Sequence, residues 1–174
     1  MFRALCLGIA AALALAASAQ AEVVERSANR FVLRYQAPVD ATAHDLRMGL
    51  QALPVWWDSA HTYSGDAANL SLDLSAGGCW CERLANGTDF DHARTVQVDE
   101  DGALFAAPFG PLRGRTERAD LAVSWPLVGE YRQLTWDFVI EGEGIGAMAD
   151  VVDGVMGAGF ARFVTHMGGA VPAS

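Results

Sequence analysis

Between Asn69 and Ile140 turn-forming residues cut the chain into six short strand-like runs, and that dense punctuation constrains the fold more than any other feature. The runs are 69–75, 79–84, 92–98, 103–107, 116–125 and 131–140. Between them stand Ala76-Gly77-Gly78, Asn86-Gly87, Asp99-Glu100-Asp101-Gly102, Phe109-Gly110-Pro111 and Val128-Gly129-Glu130. Connections this short join neighbouring strands, so the runs read as an antiparallel meander. Upstream, 29–36 alternates Phe31, Leu33 and Tyr35 with polar residues, the period-2 pattern of a seventh, half-buried strand. Pro38 then suits a helix start, and Leu46, Leu50 and Leu53 recur at helical spacing through 41–53 until Pro54, with a second short turn over 54–58.

The segment 146–167 carries Met148, Val151, Val152, Val155, Met156, Phe163 and Met167 at spacings of three and four, which reads as one long amphipathic helix. Its glycines, Gly154, Gly157 and Gly159, each cost roughly 1 kcal/mol of helix propensity relative to alanine. Close approach of backbone to a sheet is the expected compensation. A strongly twisted seven-stranded sheet must bury one face, and only this helix is long enough to cover it. The expected class is α+β, a curved antiparallel sheet around a C-terminal helix.

Residues 1–21 read as an address: Arg3, an uncharged apolar run from Ala4 to Ala17, then Ala19-Gln20-Ala21 before Glu22. The run is shorter than the roughly 20 residues that span a bilayer, and small-x-small stands where a signal peptidase cuts. Cleavage is expected after Ala21, leaving 22–174 as one exported domain, periplasmic or secreted, with no transmembrane span. Export leaves Cys79 and Cys81 as the cysteines of the mature chain. An oxidising compartment favours a disulfide, but residues i and i+2 of a regular strand lie about 6.5–7 Å apart, at the upper limit for a bridge. Two free, mostly buried thiols are therefore expected unless a bulge draws them together. His44, His61, His92 and His166 are scattered, with no spacing that joins two of them to the thiols, so no metal site is expected.

Several of these strings together resemble the START-like superfamily, also called SRPBCC or polyketide-cyclase-like. They are Ala37-Pro38-Val39, Trp56-Trp57, Tyr63-Ser64-Gly65 with Asn69-Leu70-Ser71-Leu72, Gly77-Gly78-Cys79-Trp80-Cys81-Glu82, Phe109-Gly110-Pro111-Leu112 and the closing apolar helix. The resemblance spans nearly all of 22–174. It implies a helix-grip fold with an apolar cavity, in a group that includes lipid carriers and aromatase/cyclases. Fold transfers between such relatives better than function does.

Strand parity sorts the side chains that face the helix: Leu70, Leu72 and Leu74; Val96 and Val98; Leu121, Val123 and Trp125; Leu134, Trp136, Phe138 and Ile140. With Trp56, Trp57, Met148, Val152 and Val155 they make an apolar, aromatic wall of the kind that ligand sites use. In 79–84 a choice arises, because Cys79 and Cys81 share one face while Trp80, Glu82 and Leu84 share the other. Bulk favours Trp80 and Leu84 inward, which turns Glu82 toward the apolar side, where it needs a partner such as an arginine or takes a raised pKa. If the cysteines face inward instead, they serve as small buried hydrophobes. The expected ligand contacts are Trp56, Trp57, Trp80, Glu82, Trp125, Trp136, Phe138, Met148, Val152 and Val155.

A formal charge of -9, from 12 basic and 21 acidic residues, argues against a nucleic-acid partner, which needs clustered cations, and none is expected. No nucleophile elbow, P-loop, dinucleotide fingerprint or zinc-protease helix is present, and no cofactor is expected. The sequence points first to an exported protein that holds an apolar or aromatic small molecule or lipid. The alternatives are a cyclase- or hydratase-like enzyme using Glu82, and a structural or partner-binding envelope domain with a solid interior.

Overall fold

The computed structural model describes residues 20–106 and 109–170. Residues 1–19, which hold nearly all of the expected leader, and Ala107, the expected end of one strand, lie outside the described residues. All seven expected strands are present, and two more join them. In chain order the elements are β1 (Gln20–Arg26), β2 (Arg30–Val39), α1 (Ala43–Gln51), α2 (Leu53–Trp56), β3 (Leu70–Leu72), β4 (Cys79–Arg83), β5 (Asp89–Asp99), β6 (Gly102–Ala106), β7 (Arg118–Ser124), β8 (Leu127–Val128), β9 (Tyr131–Glu141) and α3 (Ala149–His166). Gln20 and Ala21 pair with Gln36 and Tyr35 at the start of β1, so these two residues of the expected leader are not detached from the sheet. Pro38 ends up inside β2, opposite Gln133, and the helix begins later, where Thr42 and Asp45 cap each other's backbone.

The strands form one antiparallel sheet in the order β1-β2-β9-β7-β6-β5-β4-β3, with β8 folded back on β9. The long strands β2 and β9 pair from Arg30↔Glu141 to Val39↔Arg132, which sets Leu33 beside Phe138 and Tyr35 beside Trp136 on the inner face. Phe31, Leu33, Tyr35, Leu121, Leu134, Phe138 and Ile140 are all fully buried there. Over this face lies α3, burying Val152, Met156, Phe160, Phe163 and Val164 at helical spacing. The result is a sheet gripping a terminal helix. Each such side chain removed from water contributes about 1.5–3 kcal/mol.

The helix glycines are used differently from the expectation. A Cβ on Gly159 would stand 2.7 Å from Cζ3 of Trp57, and one on Gly157 would stand 3.3 Å from the Tyr35 ring, so both make room for aromatic side chains rather than for backbone. Gly154 has open space at that point. Tyr35 crosses the layer to give its hydroxyl proton to Oδ1 of Asp153 at 2.7 Å, and burial together with that bond pushes its pKa well above the usual tyrosine range.

Bulges interrupt β5 twice. The second, between Thr95 and Gln97, turns Thr95 inward and leaves Val96 49% exposed, which corrects the expectation that Val96 faces the helix. Val98 remains partly buried against the core.

Candidate functional site

On β4 the side chains alternate as bulk requires: Trp80 and Glu82 are buried, while Cys79 and Cys81 lie on the opposite face. The two cysteines form a disulfide, with a Cα–Cα separation of 5.2 Å, which overturns the expectation of two free thiols. The two Cα atoms stand closer than regular strand spacing allows, and the ladder to β5 slips beside them. Trp80 pairs with Ala93 and Cys81 with Asp91, leaving His92 as an extra residue on β5. Asp91 approaches both sulfurs, but a disulfide offers no thiolate to a metal.

A bulge re-aims the side chain of its extra residue. Here it brings His92 to Glu82, with Nε2 2.8 Å from Oε2. Glu82 is completely buried and also accepts backbone N–H bonds from Tyr63, at 3.1 Å, and from Ser64. These amides belong to the loop that follows the short helical turn Ser59–His61. One carboxylate thus ties together β4, the β5 bulge and the loop. The Tyr63 ring covers the arrangement, with its centroid 5.9 Å from that of His92 and 4.8 Å from that of Phe90.

The partners of Glu82 are therefore a histidine and two amides, where the expectation was either an arginine or a raised pKa. Burial pushes the Glu82 pKa up, but the hydrogen bonds from Ser64, His92 and Tyr63 prevail and hold it below the usual glutamate value. For His92 burial prevails over the attraction of Glu82, so its pKa lies below the usual histidine value. At neutral pH the pair is a carboxylate beside a neutral imidazole.

Next to this pair the sheet and α3 part around a cavity of about 310 Å³. Trp57, Leu70, Trp80 and Phe138 form its inner walls, and Met148, Val151, Val152, Val155 and Met156 line it from the helix side. Residues 60–63, His92 and 109–112 complete it. Val151 and Tyr63, 69% and 54% exposed, mark the mouth.

Six of the expected contacts, Trp57, Trp80, Phe138, Met148, Val152 and Val155, border this cavity. The other four do not. Trp56 is buried beneath, donating its indole N–H to the Gly49 carbonyl at 2.8 Å. Trp136 is packed against Phe160 and Phe163, filling the layer as core. Trp125 donates to the Glu100 carbonyl at 2.9 Å and pins the β5–β6 turn. Glu82 stands behind His92 rather than on the wall, because its carboxylate is spent on the loop amides and the imidazole. Sequence reading missed His61, Thr62, Tyr63, His92 and Phe109 as wall residues. Loop residues carry no period that assigns them a face. For His92 parity did carry a signal, since it shares the register of Val96 and Val98, but the two bulges send Val96 outward and keep His92 inside.

No protein-family model and no curated protein sequence matches the chain. Solved structures match it in fold. A protein from Nitrosomonas europaea superposes with a TM-score of 0.55 at 12% identity, over 79% of this chain and 94% of that one. The di-domain ARO/CYC StfQ from the steffimycin biosynthetic pathway gives 0.54 at 8% identity, over 82% of this chain and 52% of its own. DynU16, from the dynemicin biosynthetic locus, gives 0.54 at 17% identity, over 79% of this chain and 47% of its own. At such identities the likeness establishes the fold alone, a curved antiparallel sheet gripping a long helix.

Proposed function

We propose that the protein binds one small apolar or aromatic molecule in the cavity between sheet and α3 and that it does so outside the cytoplasm. The cavity carries the reading: about 310 Å³ walled by Trp57, Trp80, Phe138, Phe109 and aliphatic residues of α3 is the size and lining of a small-molecule site. A solid interior, as a purely structural domain would have, is at odds with that volume. The fold supports the same reading, since its structural neighbours include ARO/CYC di-domains. The described residues contain no helix long and apolar enough to cross a membrane.

A cyclase-like enzyme is the second reading, favoured by those neighbours and by the presence of an acid–base pair at the wall. In that case the group meeting the substrate is His92, since Glu82 does not reach the cavity surface. Export rests on residues 1–21 alone; protein recovered from the cell envelope should begin at Glu22, and an intact Met1 on soluble cytoplasmic protein would contradict it.

The binding reading is tested with a fluorescent apolar probe, 1-anilinonaphthalene-8-sulfonate, titrated into the native protein and into Val155→Trp, which fills the cavity from α3. Saturable binding that disappears in the filled variant is expected. Binding of equal strength in both would place the probe elsewhere and overturn the assignment.

A further inference from the structure

The inference rests on the binding site proposed above and concerns what that site selects. His92 is the wall residue most withdrawn from water among those with a titratable side chain: its imidazole is 12% exposed, whereas His61 and Tyr63 are exposed at the mouth. Thr62 has its hydroxyl committed to the Ser59 carbonyl at 2.7 Å. The Glu82 carboxylate accepts two backbone N–H bonds and has no proton to offer, so the 2.8 Å contact to His92 requires the hydrogen on Nε2. In a neutral ring this leaves Nδ1 as a bare acceptor. The two ring nitrogens point in widely different directions, so Nδ1 looks away from Glu82, and among the described residues Glu82 is the hydrogen-bond partner of this ring.

We propose that His92 Nδ1 is a hydrogen-bond acceptor built into the cavity wall, that it selects apolar aromatic molecules bearing a hydroxyl group, and that Glu82 is the positioning residue that fixes its tautomer. The chemistry follows from costs. A ligand O–H that leaves water for an apolar cavity needs an acceptor there, and an acceptor that a ligand covers without a donor is left unpaired. The site therefore discriminates between a phenol and the ether of the same shape, as sites built to hydrogen-bond a hydroxyl do. The side chain of Glu82 meets no ligand; it holds the imidazole and the loop carrying Tyr63 in one geometry.

The test compares 2-naphthol with 2-methoxynaphthalene by calorimetric titration of the native protein, His92→Phe and Glu82→Gln. The native protein should bind the naphthol about tenfold more tightly, which corresponds to about 1.4 kcal/mol. His92→Phe, which keeps a ring beneath Tyr63, should bind both compounds as the native protein binds the ether. In Glu82→Gln a single amide oxygen replaces the two carboxylate oxygens that serve Tyr63 N–H, Ser64 N–H and His92 Nε2–H, so the ring tautomer is no longer fixed and the preference should weaken while the ether still binds. Imidazole nitrogen shifts in the native protein give a readout that a merely structural Glu82 would not move: Nε2 should be protonated, and the Nδ1 resonance should shift on adding the naphthol. This spectrum decides the matter if either variant fails to fold. Equal affinity of the native protein for the two compounds would overturn the selection while leaving the cavity reading intact. Binding of neither would remove both.

Discussion

Glu82 is a buried carboxylate held ionised without a formal cation, by two backbone amides and a neutral imidazole. Removing its charge-assisted bonds should be costly, and Glu82→Gln should lose roughly 1–3 kcal/mol of stability in urea unfolding. The pair also sets a direction for pH. The pKa of His92 is lowered in the fold, so the unfolded chain takes up that proton first, near the ordinary value of 6.5. The stability tied to neutral His92 is complete above that pH and is lost as the pH falls below it. Glu82, lowered from 4.5, adds its own loss at still more acid pH, as the pH falls through its folded value. Unfolding free energies at pH 7 and pH 5.5 should therefore fall more steeply in the native protein than in His92→Phe, and parallel declines would contradict the account. The inward face of Glu82 was legible in the bulk of Trp80 and Leu84. Its partner was not, since an extra residue in a ladder leaves no trace in alternation.

Elements show the same division between what periodicity records and what it cannot. The seven strands followed from alternation and turn chemistry, whereas β1, with Val23 and Val24 adjacent, breaks alternation, and the two residues of β8 are too few to show a period. Alternation equally fails to record the local closeness of Cys79 and Cys81, 5.2 Å apart at Cα. Thiol titration of chain 22–174 in denaturant should find no free thiol before reduction and two after it. Because the bridge spans a sequence separation of 2, chain entropy predicts a stabilisation of only about 1.6 kcal/mol. On α3 the glycines make opposite predictions. Gly154→Ala meets open space and should stabilise the helix by about 1 kcal/mol without altering probe affinity. Gly159→Ala drives a methyl group into the Trp57 ring, so it should push that ring into the cavity and weaken probe binding severalfold. Equal affinities in the two variants would show that the position of Trp57 does not shape the site.

At the scale of the whole molecule the interface between sheet and α3 is used in two ways. One part is packed solid, where Trp56, Trp136, Phe160 and Phe163 meet ring against ring. The other opens into the cavity bounded by Trp57, Trp80 and the 109–112 turn. Composition and parity located the apolar layer, but parity treats every inward aromatic alike and could not say which would pack and which would line a void. That division rests on the segments 60–63 and 109–112 that complete the cavity, and such connecting segments carry no period. The five tryptophans report on it directly, because two border the cavity and three do not. The most direct measurement follows their indole N–H resonances while 2-methoxynaphthalene is added. Trp57 and Trp80 should move together and saturate, while Trp125, pinned at the β5–β6 turn, stays in place; a spectrum in which neither cavity tryptophan moves, or in which Trp125 moves with them, would contradict the assignment of this cavity as the binding site.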